Sequence, residues 1–170
     1  MCMIGISMEK QFLEAYEKYA DAIFRHCYFR LSDEEQARDI MQETFLKTWE
    51  YIAQGKEIKN IRAFLYRVAH NQIVDHYRKK KESSLEGLQE KGFEPRHDIR
   101  ENLMDTVDAK SVVETIEKLD EKYRDTILMR YVDELSVQEI AEILGESENL
   151  VSVHIHRGIQ QLRKLLHYGE

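Results

Sequence analysis

A chain of 170 residues holds one ordinary domain or two small ones joined by a linker, so a large single core is allowed but not required. One proline, seven glycines and a charged fraction of 34% favour helices exposed to water and argue against a turn-rich β-sandwich. The net charge of −7 excludes a uniformly basic nucleic-acid binder, but residues 56–82 carry 8 basic against 3 acidic side chains, a basic island in an acidic protein where phosphates would be met.

From Met8 to Phe29 the apolar positions Phe12, Tyr16, Tyr19, Ile23 and Cys27 recur every three or four residues, the spacing of one helix face. Ser32 with Glu35 three residues on reads as a capping box, and Ile40, Phe45, Leu46, Trp49 and Ile52 follow until Gly55 stops the run. Asn60 can cap a third helix with a buried stripe of Ile61, Leu65, Val68, Gln72 and Ile73, ending in Arg78-Lys79-Lys80-Lys81, where cations suit a helix C-terminus. These three helices predict a bundle over residues 8–81. Between Glu82 and Asn102 periodicity fails, and the stretch holds Ser83, Ser84, Gly87, Gly92 and Pro95, which reads as a flexible linker, 82–107.

Helical pattern resumes at about Met104 and runs to Leu119, then from Lys122 to Val132 through Tyr123, Ile127, Leu128 and Tyr131. Ser136 and Glu139 make another capping box, Ile140, Ala141 and Leu144 line one face, Gly145 ends the helix, and Ser147 can cap a last helix to about Leu166. A small residue where two helices cross, a glycine in the turn and an apolar pin on the second helix are the needs of a helix-turn-helix; Ala141, Gly145 and Val151 meet them. An ordinary helical hairpin uses similar turns. The predicted fold is all-α, with two small helical domains: a three-helix bundle and, over 108–167, a four-helix unit with a helix-turn-helix.

Taken together these features resemble the extracytoplasmic-function (ECF) group of sigma factors in the sigma-70 family. The match covers about residues 9–81 and 108–167, the family's regions 2 and 4. Asp39-Ile40-Met41-Gln42-Glu43-Thr44-Phe45-Leu46-Lys47-Thr48-Trp49 is similar to the region 2 helix that binds the coiled coil of the RNA polymerase clamp. The stretch from Arg62 to Asn71, continuing to Asp75 and Arg78, resembles the helix that melts and reads the minus-ten element. Tyr123-Arg124-Asp125, Met129-Arg130-Tyr131, Leu135-Ser136 and Glu139 to Gly145 resemble region 4, which holds the polymerase flap and the minus-thirty-five element.

The resemblance implies a chain that binds core RNA polymerase, directs it to promoter DNA and is held by an anti-sigma factor. It implies polymerase contacts at Asp39, Gln42, Glu43, Phe45 and Trp49. It implies DNA contacts at Arg62, Tyr66, Arg67, Asn71, Asp75, Arg78 and Lys79 to Lys81, and at Asn149, Ser152, His154, His156 and Arg157 in the second domain.

Part of this follows from the residues alone. Asn71, Asp75 and Arg78 stand at i, i+4 and i+7 on one helix face, where Asp75 can hold Arg78. Asparagine pairs well with base edges, arginine with phosphate or guanine, and Lys79, Lys80 and Lys81 bind phosphate without reading sequence. Tyr66 and Tyr77 offer rings for an unpaired base. The bland alternative makes Asn71 and Asp75 solvent-facing and the basic run a charged helix end. The carboxylates of Asp39 and Glu43 would repel DNA, so an arginine-rich protein surface suits them, unless Phe45, Leu46 and Trp49 are merely bundle core.

The chain departs from the family early in the second helix of the motif, where Lys and Arg are usual and Ser152, Val153 and His154 stand here. Its electrostatic contribution should be smaller, and its histidines make it sensitive to pH.

Cys2 and Cys27 lie too far apart for a disulfide framework or a CxxC clip, and His154 and His156 project about 200° apart on a helix, so neither a metal site nor a cofactor is expected. No phosphate loop, nucleophile elbow or HExxH occurs, which predicts a protein without catalytic turnover. No apolar run approaches the roughly 20 residues that span a bilayer, and Met1 to Ser7 is short and uncharged for a signal peptide, so a cytoplasmic protein is expected. A helix-turn-helix regulator acting without polymerase, or a sigma-like helical interaction protein, are the alternatives.

Overall fold

The computed structural model describes the backbone of residues 2–86 and 114–167, and the side chains of 9–82 and 114–166. Every element among them is α-helical. The chain divides into two compact units, Met1–Pro95 and Arg96–Glu170. The predicted linker and the start of the helix expected from Met104 fall largely outside the described residues.

The first unit packs three helices on one another: α1 (Cys2–Leu31), α2 (Glu34–Ala53) and α3 (Ile61–Glu86). Helix α1 starts six residues before the amphipathic pattern, and Cys2 to Ser7 contains no proline to interrupt it. Its buried row Ala15, Ile23, Cys27 and Leu31 repeats at four and eight, and Tyr28 fills beside it. Tyr16, expected in that row, is 41% exposed. Its ring rests edge-on against Phe45, with centroids 4.8 Å apart, at the rim of the bundle.

The capping box expected from Ser32 and Glu35 does not form. The α1–α2 link is only two residues, so Ser32 is used to end α1 in the left-handed region at φ +53, with its N–H donating to the Tyr28 carbonyl at 2.9 Å. The N-cap moves one position on, to Asp33. Its Oδ1 accepts from the Gln36 N–H and its Oδ2 from Gln36 Nε2, both at 3.0 Å, a cap worth about 1 kcal/mol.

On α2 the buried side holds Ala37, Thr44, Phe45, Thr48 and Ile52. The two buried threonines satisfy their hydroxyls locally, Thr44 Oγ1 on the Ile40 carbonyl at 2.7 Å and Thr48 Oγ1 on the Thr44 carbonyl at 2.8 Å. Thr44 Oγ1 also accepts from Gln72 Nε2 at 2.9 Å, which fixes the register of α3 against α2. Asn60 caps α3 as predicted, its Oδ1 accepting from the Ala63 N–H at 3.1 Å. The buried side of α3 is Ala63, Leu65, Tyr66, Ala69, His70 and Ile73. The helix does not end at the basic run; it continues to Glu86, so Arg78 to Lys81 lie within it rather than at its terminus.

In the second unit a short helical stretch at 114–117 precedes α4 (Glu121–Tyr131), α5 (Val137–Leu144) and α6 (Glu148–His167). Tyr123, Ile127, Leu128, Met129, Leu135, Ile140, Ala141, Ile143 and Val151 form its core. Tyr131, expected there, is instead 58% exposed.

The box of Ser136 and Glu139 forms reciprocally, at 3.1 and 2.9 Å. Gly145 caps α5 at φ +68, and a Cβ there would touch nothing within 4 Å, so the turn demands glycine for its backbone angle and not for space. Gly158 is the opposite case: a Cβ there would lie 3.0 Å from Ile127 Cγ1 and 3.3 Å from Tyr123 Cβ, so its absence sets how closely α6 crosses α4. With Ser147 Oγ accepting from the Leu150 N–H at 3.2 Å, the helix-turn-helix is complete.

Candidate functional site

Three helix faces carry the polar chemistry. On α2, Asp39, Gln42 and Glu43 are exposed, as the sequence suggested. In their midst stands Leu46, 51% exposed and not core, beside half-buried Trp49. Leu13 of α1, 59% exposed, extends the patch, and Glu9, Phe12, Leu13, Leu46 and Trp49 line one shallow depression. The acidic row is only partly compensated on its own helix, Lys47 Nζ lying 3.5 Å from Glu43 Oε1.

Phe45 must be removed from the contact residues. It is 3% exposed, and its ring lies edge-on to Phe12 and Tyr16 with centroids 6.2 and 4.8 Å away. Position 45 faces α1 because the helix turns about 100° between neighbours, so Phe45 and Leu46 cannot share a role.

On α3 the outward face carries Arg67, Asn71, Asp75 and Arg78, all exposed, and Arg78 Nη2 sits 3.2 Å from Asp75 Oδ1, the i,i+3 contact read from the sequence. Tyr66 and the lysine run need correction, and Arg62 is only partly open. Tyr66 is 2% exposed, its ring packed edge-on to His26 at 5.0 Å, and offers no face to a base. Arg62 is half-buried beside the core, with only part of its surface open. Lys79, Lys80 and Lys81 are exposed but cannot act as one clamp: at about 100° per residue, Lys80 falls on the side opposite Asn71, and Lys79 and Lys81 flank the face.

Tyr77 keeps 38% exposure while its hydroxyl donates to the Arg30 carbonyl, which pins α3 to α1. A feature missed in the sequence is a cation–aromatic ladder joining α2 to α3. Lys56 Nζ lies over the Tyr51 ring at 4.9 Å, Tyr51 and Phe64 rings are 4.8 Å apart, and Arg67 Cζ lies over Phe64 at 5.4 Å. Only the two ends of the ladder are local in sequence, so no periodicity signals it.

On α6, Asn149, Ser152, His156 and Arg157 are exposed, with Arg163 and Lys164 further along. His156 Nε2 lies 3.0 Å from Gln160 Nε2. His154 does not join them. Its side chain is 12% exposed, Nδ1 is 3.4 Å from Glu146 Oε2, and its ring is edge-on to Tyr123 at 5.7 Å. It follows Val151 by three residues and so shares the inward side of the helix. No group of three or more His, Cys, Asp or Glu among the described residues stands together as a metal site, and no described helix is long and apolar enough to cross a membrane.

Two family models match, sigma-70 region 2 over residues 15–83 and sigma-70 region 4 over residues 109–162. The chain is 33% identical over 165 residues to the ECF RNA polymerase sigma factor SigW of Bacillus subtilis (strain 168), covering 91% of this chain and 88% of SigW. It is 29% identical to the RNA polymerase sigma factor YlaC of the same organism, covering 89% of each chain. Among solved structures, the sigma factor RpoE from Bartonella quintana, crystallised with the anti-sigma factor NepR, superposes with a TM-score of 0.73 at 18% identity over 93% of this chain and 98% of that one, a likeness of fold. The two helical units are thus sigma-70 regions 2 and 4. The chain belongs to the ECF RNA polymerase sigma factors, proteins of transcription initiation, as the sequence resemblance implied.

Proposed function

We propose that the first unit docks on core RNA polymerase through α2 and engages the minus-ten region of promoter DNA through α3, while the second unit engages the minus-thirty-five region through α6. The domains that carry this reading run from 8 to 81 and from 108 to 167. The observation that supports it best is the segregation of charge within one small bundle. Asp39, Gln42, Glu43 and the exposed Leu46 share one face of α2, and Arg67, Asn71 and Arg78 share one face of α3. An acidic rim around an apolar centre suits a basic protein surface, because the charges orient the partner while Leu46 and Trp49 lose water. The α3 face suits DNA, with Asn71 toward base edges, Arg67, Arg78, Lys79 and Lys81 toward phosphates, and Asp75 holding Arg78. On α6 the contacting residues are Asn149, Ser152, His156 and Arg157.

The clamp coiled coil and the flap of the polymerase are the partners this reading requires. An anti-sigma protein, such as the one bound to the Bartonella relative, would act by covering the α2 face. The chain works in the cytoplasm, has no catalytic turnover of its own and needs no cofactor. Reconstituted transcription tests the proposal: core polymerase with this protein should initiate from discrete sites on genomic DNA. Failure to initiate anywhere, with a control sigma factor active in parallel, would sink it.

A further inference from the structure

The recognition helix α6 presents apolar side chains where a DNA-reading face is usually polar. Val153 is 40% exposed and Leu150 is 43% exposed, although both stand in the first two turns of α6. These turns are the part of a helix-turn-helix recognition helix that reaches base edges. With about 100° per residue, Val153 falls close to the midline of the outward face, between Asn149 and His156 on one side and Arg157 on the other. No described helix covers it: the packing partners of α6 are α4 and α5, which meet the opposite side through Val151 and Gly158. A branched apolar side chain at the centre of such a face has one apolar partner of comparable size in the major groove of B-DNA. That partner is the C5-methyl group of thymine; the rest of the base edges offer hydrogen-bond donors and acceptors and only the small C5–H of cytosine.

We infer that Val153 is a specificity-determining residue that packs against the 5-methyl group of a thymine in the major groove. The inference rests on the reading of α6 as the minus-thirty-five helix and adds to it the base feature that is read. It also accounts for the low positive charge of this helix. With Arg157, Arg163 and Lys164 as its cations, α6 draws less on phosphate attraction and more on shape against one methyl group.

The experiment replaces each thymidine in the upstream element of a promoter fragment, one at a time on either strand, with deoxyuridine. This removes only the methyl group and leaves pairing unchanged. Binding of holoenzyme assembled from core polymerase and the full chain is measured by fluorescence titration, for wild type and for Val153→Ala. One substitution should weaken wild-type binding about fourfold, the loss expected for one buried methyl-sized group. The same substitution should have no effect on the Val153→Ala holoenzyme, whose affinity for the thymine fragment should already be lowered by a similar factor.

Equal responses of wild type and Val153→Ala at every position overturn the inference, as does uniform weakening by Val153→Ala with no thymine singled out. The broader reading fails differently: holoenzyme that binds fragments with an intact or a scrambled upstream element alike removes the role of α6 and this inference with it.

Discussion

Phe45 and Leu46 are adjacent, both large and apolar, and opposite in consequence. Leu46→Ala removes a side chain that is 51% exposed, so about half of its apolar surface remains to be covered by a partner. Complete burial of a leucine is worth about 1.5–3 kcal/mol, which leaves about 0.8–1.5 kcal/mol for docking, or roughly a 4- to 13-fold loss of affinity for core polymerase. The fold should hardly notice. Phe45→Ala removes a ring that is 3% exposed and wedged against Phe12 and Tyr16. Truncation of a core phenylalanine costs about 3–5 kcal/mol, a large share of the stability of a small domain. Binding should then fall only in proportion to the unfolded fraction.

Two measurements separate these effects. Unfolding of the free chain is followed through Trp49, the single tryptophan, whose ring lies 5.2 Å from Phe12 and reports on the α1–α2 contact. Affinity is followed by anisotropy of labelled protein titrated with core polymerase well below the unfolding midpoint. Unchanged affinity of Leu46→Ala would move the docking face off this side of α2, and a stability loss above about 1.5 kcal/mol in that variant would show that position 46 is core after all.

The other expectations concern DNA. Asn71→Ala should lower discrimination at one promoter position by about 1–3 kcal/mol while leaving affinity for unrelated DNA nearly unchanged; a uniform loss across sequences would make Asn71 a backbone contact. Lys79→Ala and Lys81→Ala should each flatten the salt dependence of binding by about 0.9 units of slope if each meets a phosphate, whereas Lys80→Ala, on the far side of α3, should not. A salt series that ranks the three lysines equally would refute this arrangement. His156→Arg should tighten binding to the upstream element, because position 156 is outward. His154→Arg should not, because position 154 faces Glu146 and Tyr123. Parallel titrations of the two variants decide it.

Local chemistry made much of this protein legible from the sequence. The helix-turn-helix was readable because its constraints sit within sixteen residues and are each tied to a residue type: the reciprocal Ser136–Glu139 box, the left-handed Gly145, the buried Val151. Asn60 was readable as a cap for the same reason, and the Asp75–Arg78 contact follows from helical spacing alone. Where the sequence misled, two local solutions competed and a contact distant in the chain chose between them. Ser32 and Asp33 are both good caps, and the two-residue reversal that lays α2 on α1 made one a helix end and the other an N-cap.

Burial could not be read at all where apolar residues adjoin. Phe45 went to the core and Leu46 to the surface because α1 covers one side of α2, and Tyr66 was lost to DNA because His26, forty residues earlier, packs against its ring. The Lys56–Tyr51–Phe64–Arg67 ladder has the same origin, since two helix ends must meet before the four side chains stack. The sequence by itself determined which segments are helical and what chemistry each can offer, since both depend on neighbours within a turn or two. Tertiary structure alone decided which side of each helix remains in water, because that depends on which other helix arrives to cover it.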